Sequence, residues 1–262
     1  NILRVTGGEP TMHTSTWKLL QQIDADPMPW LELNINSNLG TKTKLIERLS
    51  TSVKKLCDED KLESFKLFTS LDTWGPRAEY TRTGLDLELW ETNFHTYLTQ
   101  TDSPITFMVT FNLFCVTSFK GLLEKFLEWR TQYGWYDDKP NDKHRVRFDT
   151  PYLRDPLQYD MNILPKEEYM PYMYDSLKFM EDNVDDERSD KFTTLEYEKF
   201  KRVVDYMQET VYTDEKLIEG RRDFYNWFNE LDDRREADFL SVFPEMMDFY
   251  KLCQTVNLTN PL

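Results

Sequence analysis

The sequence predicts an α/β protein built on a parallel sheet or barrel, and three observations carry that prediction. A strand–loop–helix unit recurs at intervals of about 35–40 residues through the first half of the chain. One of its strands, Ile105 to Phe114, reads as an apolar run of the kind a parallel strand needs when helices cover it. The first strand leads straight into Gly7-Gly8-Glu9-Pro10, a loop at a strand's carboxyl end, where α/β folds place ligands.

Ile2-Leu3-Arg4-Val5 alternates as a strand. The paired glycines after it remove Cβ atoms and permit positive φ, and Pro10 biases Glu9 towards an extended backbone. A helix follows, with Thr14 or Ser15 as N-cap and Trp17, Leu20 and Ile23 on one side. Asp24 to Pro29 reads as a turn and Trp30 to Ile35 as an alternating strand, which ends in the polar loop Asn36-Ser37-Asn38-Leu39-Gly40. Leu45, Ile46, Leu49, Val53 and Leu56 recur at helical spacing. Phe65 to Leu71 is the third strand, closing on Ser70-Leu71-Asp72-Thr73-Trp74-Gly75-Pro76 ahead of one helix that carries Leu85, Leu89, Phe94 and Tyr97. After Ile105 to Phe114 comes a helix with Phe119, Leu122, Leu123, Phe126 and Leu127. Asp137 to Lys143 is then a polar loop, and Val146 to Phe148 a last strand.

From about Asp160 the pattern becomes helical: Lys166 to Met180, Thr194 to Gln208, Asp214 to Leu231 and Phe239 to Cys253, with the acidic stretch Glu181 to Asp190 as a solvated loop. The expected division is a barrel core over residues 1–158 and a helical region over 159–262 that covers the mouth of the core. Its Met, Tyr and Phe positions read as packing surface. Arg221-Arg222 and Arg234-Arg235 read as helix-surface ion pairs first and as contacts to an anionic substrate second.

Composition narrows the function classes. A formal charge of −15 argues against a bulk electrostatic grip on nucleic acid or an anionic membrane. No apolar run reaches the roughly 18 residues needed to span a bilayer, and no secretory signal opens the chain. Cys57, Cys115 and Cys253 lie too far apart in sequence to suggest a disulfide framework, so a cytoplasmic protein is expected. Neither Gly-x4-Gly-Lys-Ser/Thr nor Gly-x-Gly-x2-Gly occurs, which disfavours the common phosphate loops, and Gly-x-Ser-x-Gly is absent too.

Four strand ends together carry a family resemblance. Thr6-Gly-Gly-Glu-Pro10, Asn36-Ser-Asn38, Ser70-Leu-Asp72 and Asn112 occur in the order of the radical S-adenosylmethionine (radical SAM) superfamily. Arg77-Ala-Glu-Tyr-Thr-Arg82-Thr-Gly, Thr150-Pro-Tyr-Leu-Arg154-Asp-Pro156 and Phe243-Pro-Glu245 resemble short phage-type, twitch-domain members. The resemblance implies a partial (β/α)6 TIM-like barrel, of which this chain would supply strands two to six.

It also implies a set of cofactor contacts. Backbone carbonyls at Gly7 and Gly8 and the Glu9 carboxylate, with Pro10 shaping the loop, would receive the methionine ammonium of S-adenosylmethionine. Ser37, Asn38, Ser70 and Asp72 would take the ribose hydroxyls, Arg82 (or, second, Arg77) the methionine carboxylate, and Asn112 would lie near the adenine. The family's Cys-x3-Cys-x2-Cys run, which holds a [4Fe–4S] cluster, does not occur here. The chain opens at Asn1 within a strand, so the expectation is that the cluster ligands lie upstream of Asn1, about one βα unit away, and that this chain contributes none.

What the resemblance then implies is an enzyme that forms a 5′-deoxyadenosyl radical, drawing on an external electron donor, and abstracts hydrogen from a substrate the sequence does not identify. The competing expectation is a non-catalytic, barrel-derived binding module that has lost the cluster.

Overall fold

The computed structural model describes residues 1–134 and 144–260, so the polar loop expected at Asp137 to Lys143 lies outside the described residues. Five strands, β1 (Ile2–Val5), β2 (Met28–Asn36), β3 (Leu62–Thr69), β4 (Ile105–Met108) and β5 (Val146–Asp149), form one sheet in the order β1-β2-β3-β4-β5. Every pairing is parallel. Strands that follow one another without reversal send each crossover in the same direction, which is consistent with a partial barrel.

The crossovers are α1 (Thr14–Ala25), α2 (Thr43–Asp58), the pair α3 (Pro76–Thr81) and α4 (Leu87–Gln100), and α5 (Phe119–Tyr133). Beyond β5 lie α6 (Lys166–Glu181), α7 (Thr194–Glu209), α8 (Asp214–Arg235), α9 (Phe239–Val242) and α10 (Met247–Thr259). No helix among the described residues is long and apolar enough to cross a membrane.

The strand register sorts the sheet into two unlike faces. Leu33, Ile35, Phe65, Leu67, Ile105, Phe107, Val146 and Phe148 stand on one face and are buried. They meet the apolar stripes of the helices: Ile46, Leu49 and Val53 from α2, Trp90, Phe94 and Tyr97 from α4, and Leu122, Phe126 and Trp129 from α5. The tryptophans of this layer touch, Trp74 lying edge-on to Trp129 at 5.3 Å between centroids and to Trp90 at 6.4 Å. The opposite face carries Arg4, Glu32, Asn34, Asn36, Lys66, Thr106, Arg147 and Asp149. Such a polar face is not what a sheet sandwiched between two helix layers would show.

Several elements differ from expectation, each for a local reason. The turn expected over Asp24 to Pro29 is shorter, because β2 already begins at Met28. The third strand runs Leu62–Thr69 rather than Phe65 to Leu71. The fourth ends at Met108, not Phe114, because the chain turns there. Asn112 accepts from the Phe114 amide at 3.0 Å and donates to the Thr110 carbonyl at 2.9 Å, an Asx-type arrangement that competes with strand pairing. Phe111 to Val116 nevertheless remain buried, so the apolar run reported burial and not strand.

One expected helix is two, α3 and α4, separated at Gly84 (φ +80°) and restarted by Asp86, whose carboxylate accepts from the Leu89 amide at 2.9 Å. The helix expected over Phe239 to Cys253 is interrupted at Pro244, which supplies no backbone N–H. The acidic stretch after α6 is not simply a solvated loop. Asp186 accepts from the backbone and hydroxyl of Thr194 at 2.8 and 2.5 Å, Val184 bridges Phe192, and Phe192 is buried.

The later helices are anchored to the sheet through Arg130 on α5. Its guanidinium donates to Glu196 of α7 at 2.6 and 3.1 Å, to the Val146 carbonyl at 2.9 Å and to the Lys191 carbonyl at 2.7 Å, with Arg130 fully buried. Glu196 in turn closes a capping box with Thr193, so one carboxylate both starts α7 and docks it.

Candidate functional site at the carboxyl rim of the sheet

Because all strands are parallel, their carboxyl ends share one rim, and the loops singled out by sequence meet along it. After β1, Gly7 (φ +96°) and Gly8 (φ +56°) take backbone conformations that L side chains rarely adopt. Nothing lies within 4 Å of where a Gly7 Cβ would stand, whereas a Gly8 Cβ would meet His13 Nε2 at 3.4 Å. Glu9 is extended (φ −118°, ψ 101°), and buried Pro10 opens a short 3-10 turn that delays α1 until Thr14.

The Glu9 carboxylate joins the first two loops. Oε1 accepts from the Thr11 amide at 3.1 Å, the Thr11 hydroxyl at 2.6 Å and the Ser37 hydroxyl at 2.9 Å. Oε2 accepts from the Asn38 amide at 2.8 Å. A carboxylate oxygen can accept about two hydrogen bonds, so Oε1 is saturated and Oε2, with that one described donor, keeps an acceptor position. Asn38 is exposed, and its side chain accepts from the Gly40 amide at 2.8 Å, which holds the second loop in shape.

The third and fourth loops are joined the same way. Asp72, buried behind half-buried Ser70, accepts from Arg82 Nη2 at 2.9 and 2.8 Å and from the Thr110 amide at 2.8 Å. Burial drives the Asp72 carboxyl above its ordinary range, and the Arg82 charge works against that. Arg82 and Asp72, both expected to face a ligand, therefore engage each other, although Arg82 Nε remains buried without a partner. Arg77, the second candidate for the carboxylate, is engaged elsewhere. It donates to Glu245 at 2.9 Å and to the Val242 carbonyl at 3.3 Å, fastening α3 to the start of the last helices. Asn112 is buried and its carboxamide is used within its own turn.

The sequence reading missed the polar face of the sheet just below this rim. Lys66 pairs with Glu32 at 2.9 Å, and Asn34 donates to the same carboxylate at 3.1 Å. Burial opposes the charge on Glu32, but the Lys66 and Asn34 hydrogen bonds outweigh it and hold the carboxyl below its usual range. The side-chain oxygens of Asn34 and Asn36 are buried with no hydrogen-bond partner among the described residues, and the Arg4 guanidinium lies 4.6 Å from the Phe68 ring centre. The signal was the strict alternation in Leu31-Glu32-Leu33-Asn34-Ile35-Asn36, which places every polar residue of β2 on one face.

The cysteines do not form a site. Cys57 lies on α2, buried Cys115 follows β4, and buried Cys253 lies on α10. Among the described residues no group of three or more His, Cys, Asp and Glu side chains could hold a metal ion. Burial pushes the Cys115 and Cys253 thiols well up, which opposes the thiolate a metal would need. The paired arginines of α8 divide their roles: Arg222 and Arg234 make ion pairs with Asp223 and Glu230, whereas Arg221 and Arg235 donate to the carbonyls of Ile163 and Tyr80.

Compared with protein-family models, curated proteins and solved structures, the chain has no match.

Proposed function

We propose that the chain is the S-adenosylmethionine-binding part of a radical SAM enzyme, a partial (β/α)6 barrel whose rim holds the cofactor. One observation carries the reading: the four strand-end motifs lie on one rim and are tied there in two pairs, the first by Glu9 with Ser37 and Asn38 and the second by Asp72 with Arg82 and Thr110. Open space at Gly7, the remaining acceptor position on Glu9 Oε2 and the unpartnered Nε of Arg82 suit an amino-acid moiety with an ammonium and a carboxylate. Ser37, Asn38, Ser70 and Asn112 border the same rim and would meet the nucleoside part.

Bound there, S-adenosylmethionine would supply an activated sulfonium. The residues of this chain would orient its amino-acid tail, with Glu9 holding the ammonium and Arg82 the carboxylate, while the polar face around Glu32, Asn34 and Lys66 would front the substrate. The described residues do not fit the family's [4Fe–4S] cluster, since no thiolate set is present; its ligands would come from a segment outside this chain. That same observation favours a second reading, a binding module that keeps the rim and has no cluster.

Calorimetric titration of the chain with S-adenosylmethionine tests the binding claim. Saturable binding that methionine alone does not reproduce is expected, and no saturation would overturn it. The two readings separate in a protein extended upstream of Asn1 and reconstituted anaerobically with iron and sulfide. The enzyme turns brown and releases 5′-deoxyadenosine under reductant, whereas the binding module stays colourless.

A further inference from the structure

A second place on the rim is built for a different kind of group. Past the end of β5, a cavity of about 420 Å³ is lined by Asp149, Thr150, Tyr152 and Arg154 on one side and by Lys199 and Arg202 of α7 on the other. In a chain of formal charge −15, three cations here face one carboxylate. Lys199 and Asp149 are paired at 3.0 Å, which leaves the two arginines as the excess charge. Among the described residues, neither arginine forms an ion pair with a carboxylate. Arg154 instead donates to the Tyr152 hydroxyl at 2.8 Å and lies over the Tyr206 ring at 4.9 Å, and Arg202 Nε reaches only the Glu198 carbonyl at 3.3 Å.

A separate observation points the same way. Thr150, 5 % exposed, lines the cavity, and its hydroxyl is buried without a hydrogen-bond partner. An orphaned buried hydroxyl costs free energy unless something meets it. Hydroxyl and guanidinium donors brought in from two elements suit the several terminal oxygens of a tetrahedral dianion. A planar carboxylate would be satisfied by one guanidinium fork. The groove is open to solvent and has room for more than a bare anion, and Tyr152 offers a ring to whatever the anion is attached to.

We propose that this cavity binds the phosphate group of a small phosphate monoester, with Arg154, Arg202 and the Thr150 hydroxyl as its donors. The proposal does not depend on the cofactor reading, because it rests on the β5–α7 side of the rim.

The test is a titration of the isotopically labelled chain, followed by amide chemical shifts, with ribose 5-phosphate, inorganic phosphate and acetate at constant ionic strength. Saturable shifts centred on Thr150 and Arg154 are expected with both phosphates, tighter for the ester, and none with acetate. Arg154→Gln and Arg202→Gln, both exposed positions that leave the fold intact, are each expected to weaken ester binding about tenfold, and isosteric Thr150→Val to weaken it less. Non-saturating shifts, equal response to acetate, variants that bind like the parent, or an ester no tighter than inorganic phosphate would each overturn the proposal. Failure of the cofactor reading would appear separately, as absent perturbation of the Gly7 and Gly8 amides by S-adenosylmethionine.

Discussion

Glu9 Oε1 and Ser37 Oγ, 28 positions apart in sequence, meet at 2.9 Å, and through that bond the first two strand-end loops become one structural unit. Replacing Glu9 by Gln keeps the shape but turns one acceptor oxygen into a donor facing N–H and O–H groups. Glu9→Gln is expected to cost about 1 kcal/mol, since its remaining oxygen can still serve Thr11 and Ser37 while the exposed Asn38 amide loses its acceptor. Urea unfolding at neutral pH measures it, and a midpoint equal to the parent's would show that the Asn38 contact contributes nothing net, while Ser37→Ala measures the bond between the two loops in the same way.

Removing either partner of the Arg82–Asp72 pair should not be symmetric. Asp72 is the more deeply buried member, with 8 % of its side chain exposed against 30 % for Arg82. Arg82→Ala strands a buried carboxylate and is expected to cost about 3–5 kcal/mol, whereas Asp72→Asn leaves a half-exposed guanidinium that water can reach and costs less. Denaturant midpoints of the two variants give the order; the reverse order would contradict the burial argument.

The Arg130–Glu196 pair should set the acid limit of stability together with His144 beside it. Burial disfavours the charge on Glu196, but Arg130 outweighs it and holds the carboxyl below its ordinary 4.5. That contribution is present above the unfolded value and is lost as pH falls through the lower, folded one. His144 is pulled below its ordinary 6.5 by burial first and by the Arg130 charge second. The unfolded chain therefore takes up its proton first, and stability also falls as pH drops from about 6.5. Unfolding free energies across pH 7 to 4 should decline in two stages, and His144→Gln should remove the upper one. A flat profile between pH 7 and 5 in the parent would exclude the His144 contribution.

Cys115 and Cys253, both fully buried with thiols shifted upward, should resist a thiol-specific reagent in the folded protein and react once denaturant is added. Mass spectrometry of the labelled protein assigns the sites. Rapid native labelling of either would mean that the helices open locally.

Local chemistry was legible in the chain, and long-range partnership was not. Gly7-Gly8 announces positive φ and Pro10 an extended Glu9, because those effects belong to one or two residues. The stripes on α1 and α2 follow from helical spacing alone. The Asp72–Arg82 bond depends on how two loops fold onto the same rim, and Arg77 finds Glu245 across 168 positions, so nothing near either residue encodes the contact. The apolar run after Ile105 predicts more strand than forms, for a related reason. Apolar content reports burial, but strand formation there ends where Asn112 offers the backbone a competing turn.

Trp74, Trp90 and Trp129, with ring centroids 5.3 to 6.4 Å apart, lie close enough to exchange excitation. Excitation absorbed by any of these indoles migrates among them before emission, so their fluorescence will be depolarised even though the rings are held rigidly. The same closeness couples their transitions and should give the near-ultraviolet dichroism a strong signature. The α4–α5 seam thus carries its own optical probe, one that reports loosening of the helix layer without any added label.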